Sequence, residues 1–336
     1  MEAQRYPSDF DGIIAGAPAL DFTGSILGFS FDQQVLAAAP ITAAELPLIA
    51  DAVRAQCDAK DRLRDGLVDN PRRCGFDPGV LECPNGDAPD CLSAAQLEAV
   101  RKIYAGPADA AGEPLHPGLP PGAEDGENGW RGWLTGPSAV GPPYQALFNS
   151  GFLRFFVFSN PIYDPLAFDL DRDLAEIEAF SDLLDATDPD LSAFRARGGK
   201  LILWHGWADP AITPYRTVQY HDDVVRALGN KHRVAEFLRL FLAPGMYHCG
   251  GGPGPNSFDA LSALEGWVEA GIAPDAIVAE HVGSGVPRTR PLCAYPSLAV
   301  WDGRGDPDDA AHFDCRTRGL GYALKGFNAA RRPTRR

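Results

Sequence analysis

Two short apolar runs, each ending in a chemically loaded loop, constrain this chain more than any other feature. The first, Lys200-Leu-Ile-Leu-Trp-His-Gly-Trp-Ala-Asp-Pro210, places a carboxylate, Asp209, in the turn after a strand-length hydrophobic stretch. The second runs through Phe237, Leu238, Leu240, Phe241 and Leu242, stops at Pro244-Gly245, and delivers His248 beside Cys249 on a glycine-rich loop. Runs this short and this rich in β-formers read as buried strands, not helices. A rigid sheet fixes a histidine at the end of a central strand while the loop leaves it reachable, which is what a general base needs. A structural loop histidine has the same local signature. The Asp209 stretch upstream is what points to chemistry, because strand–Asp followed by strand–His is the back half of a Ser…Asp…His triad on a parallel sheet.

The rest of the chain supplies the frame. Its 336 residues suit two domains, or one α/β domain with an insertion. Hydrophobic residues make up 45%, enough for a sizeable core, while 36 Gly and 30 Pro without any period imply many long loops. A formal charge of -15 argues against nucleic acid and against an anionic membrane surface as partners. The basic tail at Arg331, Arg332, Arg335 and Arg336 reads as a frayed end, not a binding arm. No apolar run approaches bilayer length.

Met1 to Arg5 reads as the last turn of a helix ended by Tyr6-Pro7, and Asp11-Gly-Ile-Ile-Ala-Gly-Ala-Pro18 as a strand that needs neighbours. The polar start shows no signal peptide, and a sheet opening on its own central strand implies a further segment upstream. From about Leu20 to Asn160 no βα alternation is visible, so that region reads as an insertion. The expected division is residues 1–40 as core, 41–165 as an inserted lid, and 166–336 as core carrying Asp209 and His248. Leu174, Ile177, Phe180, Leu183 and Leu184 recur at helical steps between Asn160 and Gly199. Asn256-Ser257-Phe258-Asp259 offers caps for a helix to about Glu269, closed by Gly271.

Seven cysteines suggest three local pairs, Cys57 with Cys74, Cys83 with Cys91 and Cys293 with Cys315, leaving Cys249 over. Neither C-x-x-C spacing nor interleaved histidines support a zinc site. Local pairs of this kind fit an oxidising compartment. Between Cys57 and Cys74, Asp58, Asp61 and Asp65 fall within eight residues, with Gly66 for a sharp turn. Carboxylates pinned together repel unless a cation neutralises them, and such hard oxygen donors suit Ca²⁺, with the carbonyls of Leu63 and Leu67 completing the shell. The alternative is a solvated acidic turn with Arg62, Arg64 and Arg72 as counter-charges.

With the segment Glu2-Ala-Gln-Arg-Tyr-Pro-Ser-Asp-Phe-Asp-Gly-Ile-Ile-Ala-Gly-Ala-Pro18, these stretches resemble the tannase/feruloyl esterase family from residue 1 to about residue 320. That family comprises secreted α/β-hydrolases that cleave esters of aromatic acids. The resemblance implies an α/β-hydrolase fold, incomplete here and carrying the C-terminal part of the sheet, with a large inserted lid over the acyl pocket. It implies Asp209 as triad acid, His248 as base, and Asp58, Asp61, Leu63, Asp65 and Leu67 as ligands of a structural Ca²⁺. It further implies a secreted or periplasmic protein and a small aromatic ester as substrate, with feruloyl, galloyl and terephthaloyl groups undecided.

One departure matters. The family's nucleophile sits in a Cys-Ser-x-Gly-Gly turn just before the Glu-Ala-Gln-Arg-Tyr-Pro segment, and no serine here lies in an equivalent G-x-S-x-G turn. The resemblance therefore implies a serine on a missing N-terminal segment of the same fold, and an unpaired Cys249 whose bridging partner lies there too. It also implies that this chain alone is inactive. Another serine hydrolase of the same fold, or a non-catalytic calcium-binding fragment, are the competing readings.

Overall fold

The computed structural model describes residues 1–84, 88, 90–136 and 141–317. The basic tail at Arg331, Arg332, Arg335 and Arg336 lies outside them. At the centre, β1 (Gly12–Gly16), β2 (Lys200–Gly206) and β3 (Leu238–Ala243) run parallel in that order. Leu203 is level with Ala15 on one side and Leu240 on the other. Alternate side chains leave opposite faces of the sheet, and both faces are covered. Leu201, Leu203, Leu238 and Leu240 pack against Val218 and Val224 of the helix Pro214–Leu228, while Ile202 and Phe241 pack against Leu264 and Trp267 of the helix Ala260–Ala270. Burial on both sides is why these strands read as continuous apolar runs without polar alternation.

Two antiparallel pairs extend this core. β4 (Ala276–Glu280) pairs with β5 (Thr289–Cys293), and β5 runs into a bridge between Ala294 and Phe241 of β3. β6 (Leu298–Trp301) pairs with β7 (Phe313–Arg316), and Cys293–Cys315 ties that hairpin to β5. Cys57–Cys74 and Cys83–Cys91 are also bonded, and Cys249 is free. No helix among the described residues is long and apolar enough to cross a membrane.

Among the described residues no strand is formed between Gly16 and Lys200. Helices Phe22–Ala38, Leu46–Cys57, Ala94–Ala105 and Tyr144–Phe152 fill the interval, the third opened by a capping box of Ser93 and Gln96. One apolar cluster there, with Ile49, Val53, Leu97, Val100, Ile103 and Trp130, also takes in Ala208 and Tyr247. The helical insertion therefore rests directly on the residues beside Asp209 and His248.

The helical periodicity read between Asn160 and Gly199 corresponds to short helices at Leu174–Glu178 and Ser181–Leu184, with a further one at Ser192–Ala196 after a break. Asp188 and Asp190 accept hydrogen bonds from the backbone N–H two residues on, and Pro189 biases its predecessor away from helix. The apolar stripe still works in part. Ile177 is fully buried with Leu174, Phe180 and Leu184 beside it, whereas Leu183 is exposed.

Candidate active site

Neighbouring parallel strands release their loops at the same edge of the sheet, and that is how residues 39 positions apart come together. The turn after β2 and the loop after β3 are laced by backbone bonds, Trp207 N–H to the Ala243 carbonyl at 2.8 Å and Ala208 N–H to that of Met246 at 3.1 Å. A side chain on Gly206 would collide with the Met246 carbonyl, its Cβ coming within 2.2 Å, so only glycine permits this approach. The lacing sets His248 Nδ1 2.8 Å from Asp209 Oδ2.

Asp209 is fully buried and His248 is a quarter exposed. Burial by itself would raise the Asp209 carboxyl, but hydrogen bonds from His205 and His248 outweigh it and hold the group below the ordinary carboxylate range. Burial likewise disfavours the charged form of His248, and the bond to Asp209 together with its charge reverses the direction, raising the imidazole above its ordinary value. A basic imidazole, oriented through Nδ1 by a buried carboxylate, can accept a proton from a nucleophile at Nε2. Cys249, in the left-handed backbone region, holds its Sγ 3.7 Å from His248 Nε2, and burial and Asp209 push that thiol up. The Trp133 ring stands edge-on to His248 at 5.1 Å and is stacked on Phe148 at 6.0 Å.

His205 escaped the sequence reading. It is fully buried, with Nε2 3.1 Å from Asp209 Oδ2 and Nδ1 2.8 Å from Thr217 Oγ1. Its signal was the His-Gly-Trp-Ala-Asp spacing at the strand end, hidden because an inward residue of a buried strand looks like core.

The acidic loop lies next door, where Leu67 touches the space beside Gly245 in the His248 loop. Asp58 accepts from the N–H groups of Asp65 and Gly66, Asp61 from that of Leu63, and Asp65 from that of Leu67. Burial pushes Asp61 up to about 6 and its buried neighbour Asp69 up to about 7, each aided by the negative charge of Asp65. Burial also raises Asp58. Among the described residues no group of three or more His, Cys, Asp or Glu side chains stands ready to hold a metal ion.

The counter-charges differ from the expected ones. Asp65 is met by Arg290 of β5 at 2.8 Å and by Arg288, just before that strand, at 3.5 Å, both buried, while Arg72 lies over the rings of Trp207 and Tyr295. Of the local arginines, Arg64 acts on Asp58 and Arg73 on Asp69 through their charge. Arg288 and Arg290 are more than two hundred residues away in sequence, so local charge counting could not find them.

A parallel sheet covered on both faces, a helical insertion resting on its carboxyl edge, and an Asp and a His on successive strand ends are the features of the α/β-hydrolase fold. Residues 1–316 match the family model described as tannase and feruloyl esterase. The chain belongs to that family. It is 39% identical over 94% of its length to an esterase of Xanthomonas campestris, and 37% identical over 94% to a mono(2-hydroxyethyl) terephthalate hydrolase of Piscinibacter sakaiensis. Those matches cover 62% and 61% of the two relatives, so the chain spans about three-fifths of the curated proteins it matches. Among solved structures, an esterase from Aspergillus oryzae superposes with a TM-score of 0.84 at 28% identity, covering 94% of this chain and 66% of that one.

Proposed function

We propose that this chain carries the acid and the base of a serine carboxylic ester hydrolase acting on esters of aromatic acids. His248 takes the proton of an attacking serine through Nε2, and Asp209 holds the Nδ1–H tautomer and stabilises the imidazolium that forms. The imidazolium gives that proton to the departing alcohol as the ester C–O bond breaks, and water deprotonated at the same nitrogen then cleaves the acyl-enzyme to the free acid, the proton returning to the serine. The observation that carries the reading is the 2.8 Å bond from His248 Nδ1 to a buried Asp209. The Trp133–Phe148 stack beside that imidazole, with Phe148 largely exposed, supplies a flat apolar platform suited to an aromatic acyl group. Relatives named as feruloyl esterases and as a terephthalate ester hydrolase support this substrate class.

The nucleophilic serine, and the partner of Cys249, are assigned to the part of the family fold outside these 336 residues. Triad members act as a unit, and the loss of a nucleophile costs about 10⁶-fold in turnover, so the chain alone is expected to be inactive. The test is to read the DNA preceding the Met1 codon for a Cys-Ser-x-Gly-Gly turn and to assay the longer product with methyl ferulate, methyl gallate and a terephthalate monoester. Turnover in the longer product, lowered about 10⁴-fold by Asp209→Asn, supports the reading. Ordinary turnover by residues 1–336 alone sinks it.

Structural calcium belongs to the same proposal. The oxygens of Asp58, Asp61 and Asp65, with the carbonyls of Leu63 and Leu67, are the right donors, and carboxyls raised by burial and by one another fit a place that takes positive charge. An ion there would brace the base of the insertion and takes no part in the ester chemistry. Three disulfides support an oxidising compartment, outside the cell or in a periplasm.

A further inference from the structure

A triad argument calls for one histidine on Asp209, and the structure puts two there. His205 stands at the end of β2, four residues before the carboxylate, with no exposure to solvent. Its Nε2 faces only acceptors, Asp209 Oδ2 at 3.1 Å and the Ile212 carbonyl at 2.8 Å. Neither can donate, so the hydrogen resides on Nε2 and is shared between them. Nδ1 is completed by the Thr217 hydroxyl at 2.8 Å, from the helix Pro214–Leu228.

Asp209 thereby receives four hydrogen bonds. Oδ1 takes the N–H groups of Ala211 at 2.8 Å and Ile212 at 2.9 Å, and Oδ2 takes His205 and His248. The backbone turn anchors Oδ1. At Oδ2 one of the two donors, His248, stands at the open face of the site on a glycine-rich loop and must change protonation during the reaction. A fully buried carboxylate short of donors protonates or turns away, because burying an unsatisfied charge is costly.

We propose that His205 is a positioning residue for the Asp209–His248 pair: its Nε2–H fixes Oδ2 toward His248 whatever the state of His248. This rests on the triad reading above. Two further consequences follow. Thr217 sets the tautomer of His205, and the helix after β2 is thereby linked to the Asp209–His248 pair.

The test needs no turnover and uses the 336-residue chain. Long-range ¹H–¹⁵N spectra of ¹⁵N-histidine-labelled protein report which ring nitrogen carries the hydrogen. In the wild type, His205 is expected to be protonated at Nε2, and neutral His248 at Nδ1. In His205→Phe, His248 should lose its single Nδ1–H form, gaining the Nε2–H tautomer favoured in water, and its titration midpoint should move down. His205→Gln, which can return an N–H toward Oδ2, should restore both.

If His205→Phe folds, by circular dichroism, and leaves the tautomer and midpoint of His248 unmoved, the role is only structural and the inference fails. If His205→Phe does not fold, the wild-type spectrum decides: a bare His205 Nε2 overturns the inference while the Asp209–His248 pair stands. A wild-type His248 protonated at Nε2 in its neutral form overturns the pair itself and this inference with it.

Discussion

Gly206 shows how narrowly single residues set this site. The two loops that bring Asp209 to His248 meet at its Cα, with the Met246 carbonyl where a Cβ would go. Because the obstacle is backbone hydrogen-bonded to Ala208, it cannot swing aside. Gly206→Ala is expected to destabilise the protein by about 1–3 kcal/mol, the range for forced overpacking, and urea unfolding would read it. An unchanged midpoint would show that the loops have slack.

Asp32 is the other telling position. It is fully buried with Gln145 Nε2 3.2 Å away as its donor, and burial pushes its carboxyl up to about 8. The folded state therefore keeps a proton that the unfolded chain gives up near 3.8. Stability from this group is complete below that value and is lost as pH rises toward 8, by up to about 1.4 kcal/mol per pH unit. Asp32→Asn, neutral throughout, should match the wild type near pH 4 and gain on it steadily to pH 8. A gap that does not change with pH would contradict the assignment. Asp209 and His248 were legible in the sequence because each ends an apolar run, whereas Asp32 and His205 sit inside such patterns and only their partners across the fold give them meaning.

At the scale of elements, the acidic loop is held by a disulfide and by a distant arginine. Cys57–Cys74 closes a 17-residue separation, for which the chain-entropy account gives about 3 kcal/mol, and the Cys57→Ser/Cys74→Ser pair should cost about that much in denaturant unfolding. Arg290 of β5 reaches the loop from the far end of the chain, with its guanidinium also over the Phe313 ring. Arg290→Met leaves Asp65 buried without its nearest cation and should cost about 3–5 kcal/mol, less in calcium than in chelator. Equal losses in calcium and in chelator would count against the calcium proposal. The local disulfides were readable because their partners lie 8 to 22 residues apart. The helical steps from Leu174 to Leu184 were readable as well, but spacing reports which side chains turn inward, not where Asp188, Pro189 and Asp190 interrupt the backbone before Ser192.

Across the whole molecule, the insertion and the sheet share a core. The cluster around Trp130 includes Ala208 and Tyr247, so the helices cannot come loose without uncovering the candidate site. Trp130→Ala, at a position with no exposure, should cost about 3–5 kcal/mol. Hydrogen exchange should then quicken in β3 as well as in the helix Ala94–Ala105. Protection lost in the insertion alone would show two independently folding parts.

The apolar runs by themselves indicated buried strands of a parallel sheet ending in a carboxylate, Asp209, and an imidazole, His248, because strand length and periodicity are local properties. Cysteine spacing likewise suggested which local pairs to join. Tertiary structure alone decided that His205 would share Asp209, that Arg288 and Arg290 would answer Asp65, and that helices of the insertion would seal Ala208 and Tyr247. Each of those contacts links residues through burial and strand order, which no local spacing encodes.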